Sequence, residues 1–284
     1  MAAAVIPAEE RRPRIRVKAV PLLCGTFLAL LTIVAVVGET LAPHDPLAQN
    51  PALSVSDSGP GHLLGTDQLG HDVMSQLLAG TGAALLGPLV VALGCLLVGS
   101  GLGLAAAYFG GLTDSLAGRF ADLVYALPAL LIAIVAVGAL GGGYWVTAGV
   151  LLALGVPGQI RLTRSAAQVQ VRLPYVDAAR TLGIHPARIV VRHVLPNVLP
   201  TLVATFLLDF VAALIGFTAM SYLGLGVSAD SPDWGRMLAE GQTLVAENPW
   251  LSLAPAVLLC LTAISASLLG DWAQERLDRR GGRA

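Results

Sequence analysis

The chain has 284 residues, of which 55% are apolar and only 12% charged, and its formal net charge is −1. Soluble domains carry about 25% charged residues, so this composition excludes an ordinary water-soluble enzyme or binding domain. The near-neutral balance also supplies no basic field for nucleic acid. No charge occurs between Asp72 and Asp114, between Asp122 and Arg161, or between Glu247 and Asp271. Apolar runs of about 18 residues or more are long enough to cross a bilayer.

In chain order, residues 1–18 form a basic tail with Arg11, Arg12, Arg14, Arg16 and Lys18. The apolar run at 19–41 is longer than a secretory h-region of about 7–15 residues, so it reads as a retained first span. Residues 43–80 follow, rich in Pro, Gly and Ser and carrying Asp45, Asp57, Asp67 and Asp72 without any Lys or Arg. That composition reads as a loop. A second span is expected at 82–109 and a third at 121–140, ended by Gly141, Gly142 and Gly143. A fourth is expected at 144–160. A polar link occupies 161–193, a fifth span 195–217, an acidic segment 221–248, and a sixth span 250–269. The class is all-α integral membrane with six transmembrane helices.

The charges orient these spans. Lys and Arg favour cytoplasmic loops. The six-span count puts 16 of the 17 basic residues on one side, and only Arg236 on the other. Both termini are therefore expected in the cytoplasm, with 43–80 and 221–248 outside. Cys24, Cys95 and Cys260 each lie within an apolar run, where they read as small packing residues rather than a disulfide framework or a metal set.

The link at 161–193 is too polar to cross the bilayer. Residues 175–182 are good helix formers followed by Gly183, a suitable C-cap. His185-Pro186 starts a second piece, because Pro is tolerated in a first helical turn. Pro196 and Pro200 punctuate the entry to the fifth span. Two short helices on the cytoplasmic face are expected. By composition alone, a basic loop resting on anionic headgroups is an equal reading.

The residues of this link carry a resemblance. Asp177-Ala178-Ala179, then Gly183, then Leu195-Pro196 resembles the EAA signature of permease subunits of bacterial ABC importers, with Asp177 where Glu is usual. Four further stretches are similar to the peptide, opine and nickel branch of that family, in its dipeptide/oligopeptide C-type subunits. They are 64–70 with Asp72, 108–111, 192–197, and 223–226 followed by Trp234-Gly235 and Met237-Leu238. His71 and Gln76 stand where this branch usually has Arg. The resemblance implies a transmembrane permease domain over 19–284, with the cytoplasmic link as coupling helices that dock on a separate ATPase subunit. Asp177, Ala178, Ala179, Arg180, Gly183 and Arg188 are its candidate coupling residues. It further implies a second permease subunit, two ATPase subunits, and an extracytoplasmic solute-binding protein received by the outer surface, with Asp67, Asp72 and Trp234 as candidate contacts. The cargo implied is short peptides or similar small solutes, moved by alternating access. Nickel chelates, opines, haem and glutathione are alternatives of the same type.

Other features are weighed against this reading. A P-loop needs a Lys after its Gly-rich turn. The only lysine is Lys18, so ATP and magnesium are expected on partner subunits and no cofactor on this chain. Gly99, Gly101 and Gly103 lie inside the second span and read as close helix packing. Asp209 is the acid of the fifth span. An intramembrane carboxylate costs about 2.5–3.5 kcal/mol on the insertion scale and faces a cavity or a partner, so Asp209 is either a candidate pathway residue that meets a cationic group of the solute or a structural hydrogen-bond partner of the second permease. His44, His62 and His71 share the first outer segment, but their spacing matches no ligand pattern, and no metal is expected. A stand-alone ion-coupled transporter is a different class of function. It would show internal repeats and several intramembrane charges, and this chain shows neither.

Overall fold

The computed structural model describes residues 19–226 and 231–281. The basic tail at 1–18, Asp230 and Arg283 lie outside the described residues. The described residues form helices: α1 (Ala19–Leu41), α2 (Val73–Gly94) and α3 (Ser100–Phe109), α4 (Gly111–Tyr125), α5 (Ala129–Ala139), α6 (Tyr144–Val171), α7 (Pro174–Thr181), α8 (Pro186–Ile189), α9 (Leu195–Tyr222), α10 (Trp234–Gly241) and α11 (Trp250–Gly281). A π turn at Cys95–Gly99 joins α2 to α3, and another at Val190–Val194 joins α8 to α9.

Among the described residues, five continuous stretches are long and apolar enough to cross a membrane, or six when the pair α4–α5, bent by 84°, is counted as one broken span. α1 occupies the expected 19–41. Four other spans are longer than their apolar cores, the sixth among them, which runs from Trp250 to Leu277. The second begins at Val73, the fourth runs to Val171, and the fifth is continuous from Pro186 to Tyr222. Polar residues end an apolar run, but not a helix that packs against protein beyond the bilayer.

The third span departs from one straight helix at 121–140. Pro128 has no N–H to donate and disfavours α geometry at Leu127, so the helix stops at Tyr125 and restarts at Ala129. Pro196 and Pro200 have the opposite outcome and lie inside α9, with the π turn just before them taking up the mismatch.

α9 sits centrally, packed on α11, α2 and α6, while α3 packs on α6 and α1 on α2 and α11. Close α3–α6 contact depends on Gly99 and Gly103. A Cβ at Gly99 would lie 2.7 Å from Gln159, and one at Gly103 2.8 Å from the Ile160 carbonyl, whereas Gly101 faces open space. The helical small-residue reading is correct for two of the three glycines. Exposed side chains such as Val36, Leu97 and Val135 clothe the outside of the helices with apolar surface suited to lipid.

The connections gather at two ends. Residues 42–72, α10 and the start of α11 make an acidic end. The α3–α4 turn, α7, α8 and the last turns of α6 make a basic end.

Candidate functional site

At the basic end, α7 is held by a core shared among several helices. Val176 and Ala179 of α7, Ile189 and Val194 before α9, Val198 and Leu202 of α9, Ala167 and Val171 of α6, and Leu104 of α3 form one buried cluster. The two pieces expected in the link are therefore different in kind. One is a short free-standing helix, and the other is the first turn of the fifth span.

Gly183 closes α7 as a Schellman cap. Its φ is +70°, its N–H donates to the Arg180 carbonyl (3.0 Å), and the Ile184 N–H donates to the Ala179 carbonyl (3.2 Å). Ile184 then returns to the shared core. Nothing lies within 4 Å of where a Gly183 Cβ would be, so the residue is set by backbone handedness rather than by crowding.

The candidate coupling residues divide by face. Asp177, Ala178, Arg180, Gly183 and Arg188 are exposed, and Leu182 is 80% exposed. Ala179 is buried in the core, whereas Ala178 is exposed. Asp177 is tied to Arg180 (3.2 Å), whose guanidinium lies 4.9 Å from the Tyr108 ring centroid. The α3 end thus contacts α7 through the 108–111 stretch, where Gly110 and Gly111 turn the chain with φ of +62° and +55°. Tyr175 and Asn197 lock α7 to α9. The Tyr175 hydroxyl donates to Gln170 Oε1 (3.0 Å), and Asn197 Nδ2 donates to the His193 carbonyl (2.7 Å) and to the Tyr175 hydroxyl (3.4 Å). Arg164 and Arg161 of α6 pair with Asp114 and Asp122 of α4.

At the acidic end the three candidate docking residues are all buried: Asp67 and Asp72 at 3% exposure and Trp234 at 1%. None of them presents its side chain to an outside protein, which corrects that expectation. Burial follows from what each satisfies. Asp67 Oδ1 accepts from the backbone N–H of Leu69 (2.9 Å) and His71 (2.8 Å), while Oδ2 meets His71 Nδ1 (2.6 Å) and Gln76 Nε2 (3.1 Å). The two positions that depart from the usual Arg are thus partners of one carboxylate. Trp234 donates Nε1–H to the Leu77 carbonyl (2.9 Å) and packs beside Val73, Met237 and Leu251 in the protein core, whereas Trp250 is exposed. Gly65 and Gly70 need positive φ and crowded space. A Cβ at Gly70 would fall 2.0 Å from the Asn50 carbonyl.

Asp72 caps α2. Its Oδ2 accepts from the Ser75 N–H (2.8 Å) and hydroxyl (2.6 Å), and its Oδ1 faces His62 Nδ1 (2.9 Å). Burial pushes this carboxyl up. The Ser75 and His62 hydrogen bonds and the nearby His44 outweigh it and hold Asp72 below the usual range. A cleft of about 430 Å³ opens beside this network, lined by Asp67, His71, Gln76, Arg236 and Glu240 among others. Burial raises the Glu240 carboxyl, with Arg236 opposing the rise.

Between the two ends, Asp209 lies half-buried on α9 and one of its carboxylate oxygens is buried without a hydrogen-bond partner among the described residues. Sequence reasoning missed Tyr144. The Gly87 N–H donates to its hydroxyl (2.5 Å), which donates to the Ala83 carbonyl (2.6 Å). The phenol thus stands inside the α2 ladder just before Pro88, the one signal in the sequence that this ladder would need help.

Comparison with known proteins agrees with this architecture. Residues 99–282 match the family described as "Binding-protein-dependent transport system inner membrane component". The chain is 32% identical to the glutathione transport system permease protein GsiD of Pectobacterium atrosepticum, over 89% of this chain and 85% of that one. It is 32% identical to the di/tripeptide transport system permease protein DppC of Pseudomonas aeruginosa, with the same coverage. It is 30% identical to the probable D,D-dipeptide transport system permease protein DdpC of Escherichia coli, over 91% and 87%. In fold it resembles a chain of the inward-facing MetNI methionine ABC transporter, with a TM-score of 0.56 at 19% identity, covering 72% of this chain and 97% of that one.

Proposed function

The chain belongs to the family of binding-protein-dependent transport system inner membrane components, as a membrane permease subunit of an ABC importer, and from that premise we propose that its cargo is short peptides or solutes of similar size. Relatives named for dipeptides, tripeptides and glutathione favour this cargo over nickel chelates, haem or opines. The basic end faces the cytoplasm, together with both termini, and the acidic end faces outward, because Lys and Arg concentrate on the cytoplasmic side. The acidic end receives an extracytoplasmic binding protein through surface other than Asp67, Asp72 and Trp234. A second, different permease chain completes the pathway, and two ATPase subunits hold ATP and magnesium.

α7 is the coupling helix. The observation that carries this reading is its two-sidedness. Asp177, Ala178 and Leu182 are exposed, while Val176 and Ala179 are rooted in a core that also contains residues of α3, α6 and α9. A protein seated on the exposed face moves α7, and the close-packed core passes that displacement to three spans rather than absorbing it. Asp209, with an unpartnered buried oxygen, is the residue of α9 suited to a cationic group of the cargo.

The test is ATPase activity of the complex, purified in lipid with the proteins encoded beside this chain. Co-purifying ATPase subunits whose hydrolysis rises with binding protein and short peptides support the proposal. A folded chain that captures no ATPase overturns the coupling role. In the same assay Asp209→Asn should lower peptide-stimulated hydrolysis, and unchanged stimulation and uptake would remove Asp209 from the pathway.

A further inference from the structure

The acidic end brings together three potential metal ligands that lie far apart in sequence. His44 follows α1, His62 closes a tight turn bridged to Gly59, and Asp72 caps α2. Their ligand atoms all lie within 4.8 Å of one another. His71, the third histidine of the segment, is turned away and committed to Asp67. We propose that His44, His62 and Asp72 bind a divalent cation of the zinc and nickel type, which clasps residues 42–72 onto the start of α2.

The donor set is two imidazoles and one carboxylate, a combination suited to borderline transition-metal ions rather than to magnesium or calcium, which favour oxygen ligands. The spacing is close to that of a bound ion: ligands about 2.1 Å from a tetrahedral ion lie roughly 3.4 Å from each other, against an outer limit of 4.8 Å among the three ligand atoms. Here His62 Nδ1 is 2.9 Å from Asp72 Oδ1 and His44 Nδ1 is 3.8 Å from Asp72 Oδ2. The second distance is too long for a hydrogen bond, so His44 faces a carboxylate that it does not bond. The two imidazoles lie side by side, with centroids 4.8 Å apart and planes 31° apart, both presenting Nδ1 to the same acid. The His44 side chain is 44% exposed, so its ring has room to turn toward the other two donors.

The supporting residues are already in place. Ser75 donates its N–H and its hydroxyl to Asp72 Oδ2, and its hydroxyl oxygen accepts the His44 backbone N–H (3.0 Å). One side chain therefore orients both the carboxylate and the histidine segment, the arrangement that outer-shell partners give metal ligands. Asp72 itself is buried while His44 is open to water, so the ion has an anchored anion on one side and an entry path with room for solvent ligands on the other.

The experiment titrates zinc chloride into the full-length chain, purified without a polyhistidine tag, stripped with chelator and held in lipid nanodiscs, with bound metal measured after equilibrium dialysis. One zinc per chain is expected, with the dissociation constant raised at least tenfold in His44→Ala and in His62→Ala and unchanged in His185→Ala at the other end of the bundle. Because His44 is exposed, His44→Ala decides the question should His62→Ala fail to fold. Failure to take up stoichiometric zinc, or uptake unaffected by His44→Ala, overturns the proposal.

Discussion

Tyr144 shows how one atom repairs a helix. Pro88 removes the N–H that the Ala84 C=O would accept and crowds that turn of α2, and beside it the phenol bridges Gly87 N–H and Ala83 C=O, groups that pair with each other in an ideal helix. Unpaired polar groups in a lipid-covered bundle are expensive, so the bridge supports α2 beside Pro88. Tyr144→Phe keeps the ring beside Phe217 but strands both backbone groups. It is expected to cost about 1–3 kcal/mol, read as a lowered thermal midpoint in detergent. An unchanged midpoint would mean that α2 closes its own ladder. Little of this was legible in the sequence, which marks a proline but not the distant residue that compensates it. The glycines were easier to read. Gly183, Gly110, Gly111 and Gly224 all have positive φ, and each lies in a stretch whose spacing stood out. The histidines were the reverse case. Spacing gave no ligand pattern, because the third donor beside His44 and His62 is Asp72, and only the folded loop brings it there.

At the level of elements, spans could be counted from hydropathy because apolar runs are set by bilayer thickness, whereas helix ends are set by caps and packing. That is why α6 continues to Val171 and the fifth span begins at Pro186, before its apolar run, and why the third span breaks at Pro128. α7 was legible as a helix because both its stop signal and its start are local. Its role rests on Gly183. Any β-carbon there meets open space but must adopt φ of +70°, at a cost of about 1–2 kcal/mol, more for a β-branched residue. Gly183→Val is therefore expected to re-angle α7 and Ile184 without unfolding the bundle. ATP hydrolysis should become independent of peptide while the complex still assembles and elutes at its normal size. Normal peptide-coupled transport in this variant would mean that the handedness at residue 183 is dispensable and that the exposed face of α7 couples by another route.

For the molecule as a whole, charge and packing give two separate arguments for one arrangement. Helices α7 and α8, the Arg–Asp pairs on α4 and α6, and the Arg180–Tyr108 contact all fall at the basic end, while the buried acids Asp67 and Asp72 and their histidine partners fall at the other. With the bent pair α4–α5 counted as one span, the described residues make six traverses, so that α1 begins and α11 ends on the same side. The asymmetry is also energetic. Acidic-end carboxylates such as Asp67 and Asp72 are satisfied internally, so their function is to shape the segment, whereas most arginines of the basic end keep exposed side chains available to lipid headgroups or a partner. If the positive-inside tendency sets the insertion, a membrane-impermeant maleimide added to intact cells should label Leu63→Cys, which is exposed at the acidic end, and should spare Arg172→Cys, which is exposed beside α7. Inside-out vesicles should give the reverse, in each case above the background of the parent chain with its own Cys24, Cys95 and Cys260. The opposite pattern would invert the whole assignment. It would place α7 outside the cell, out of reach of any ATPase, while leaving the fold untouched.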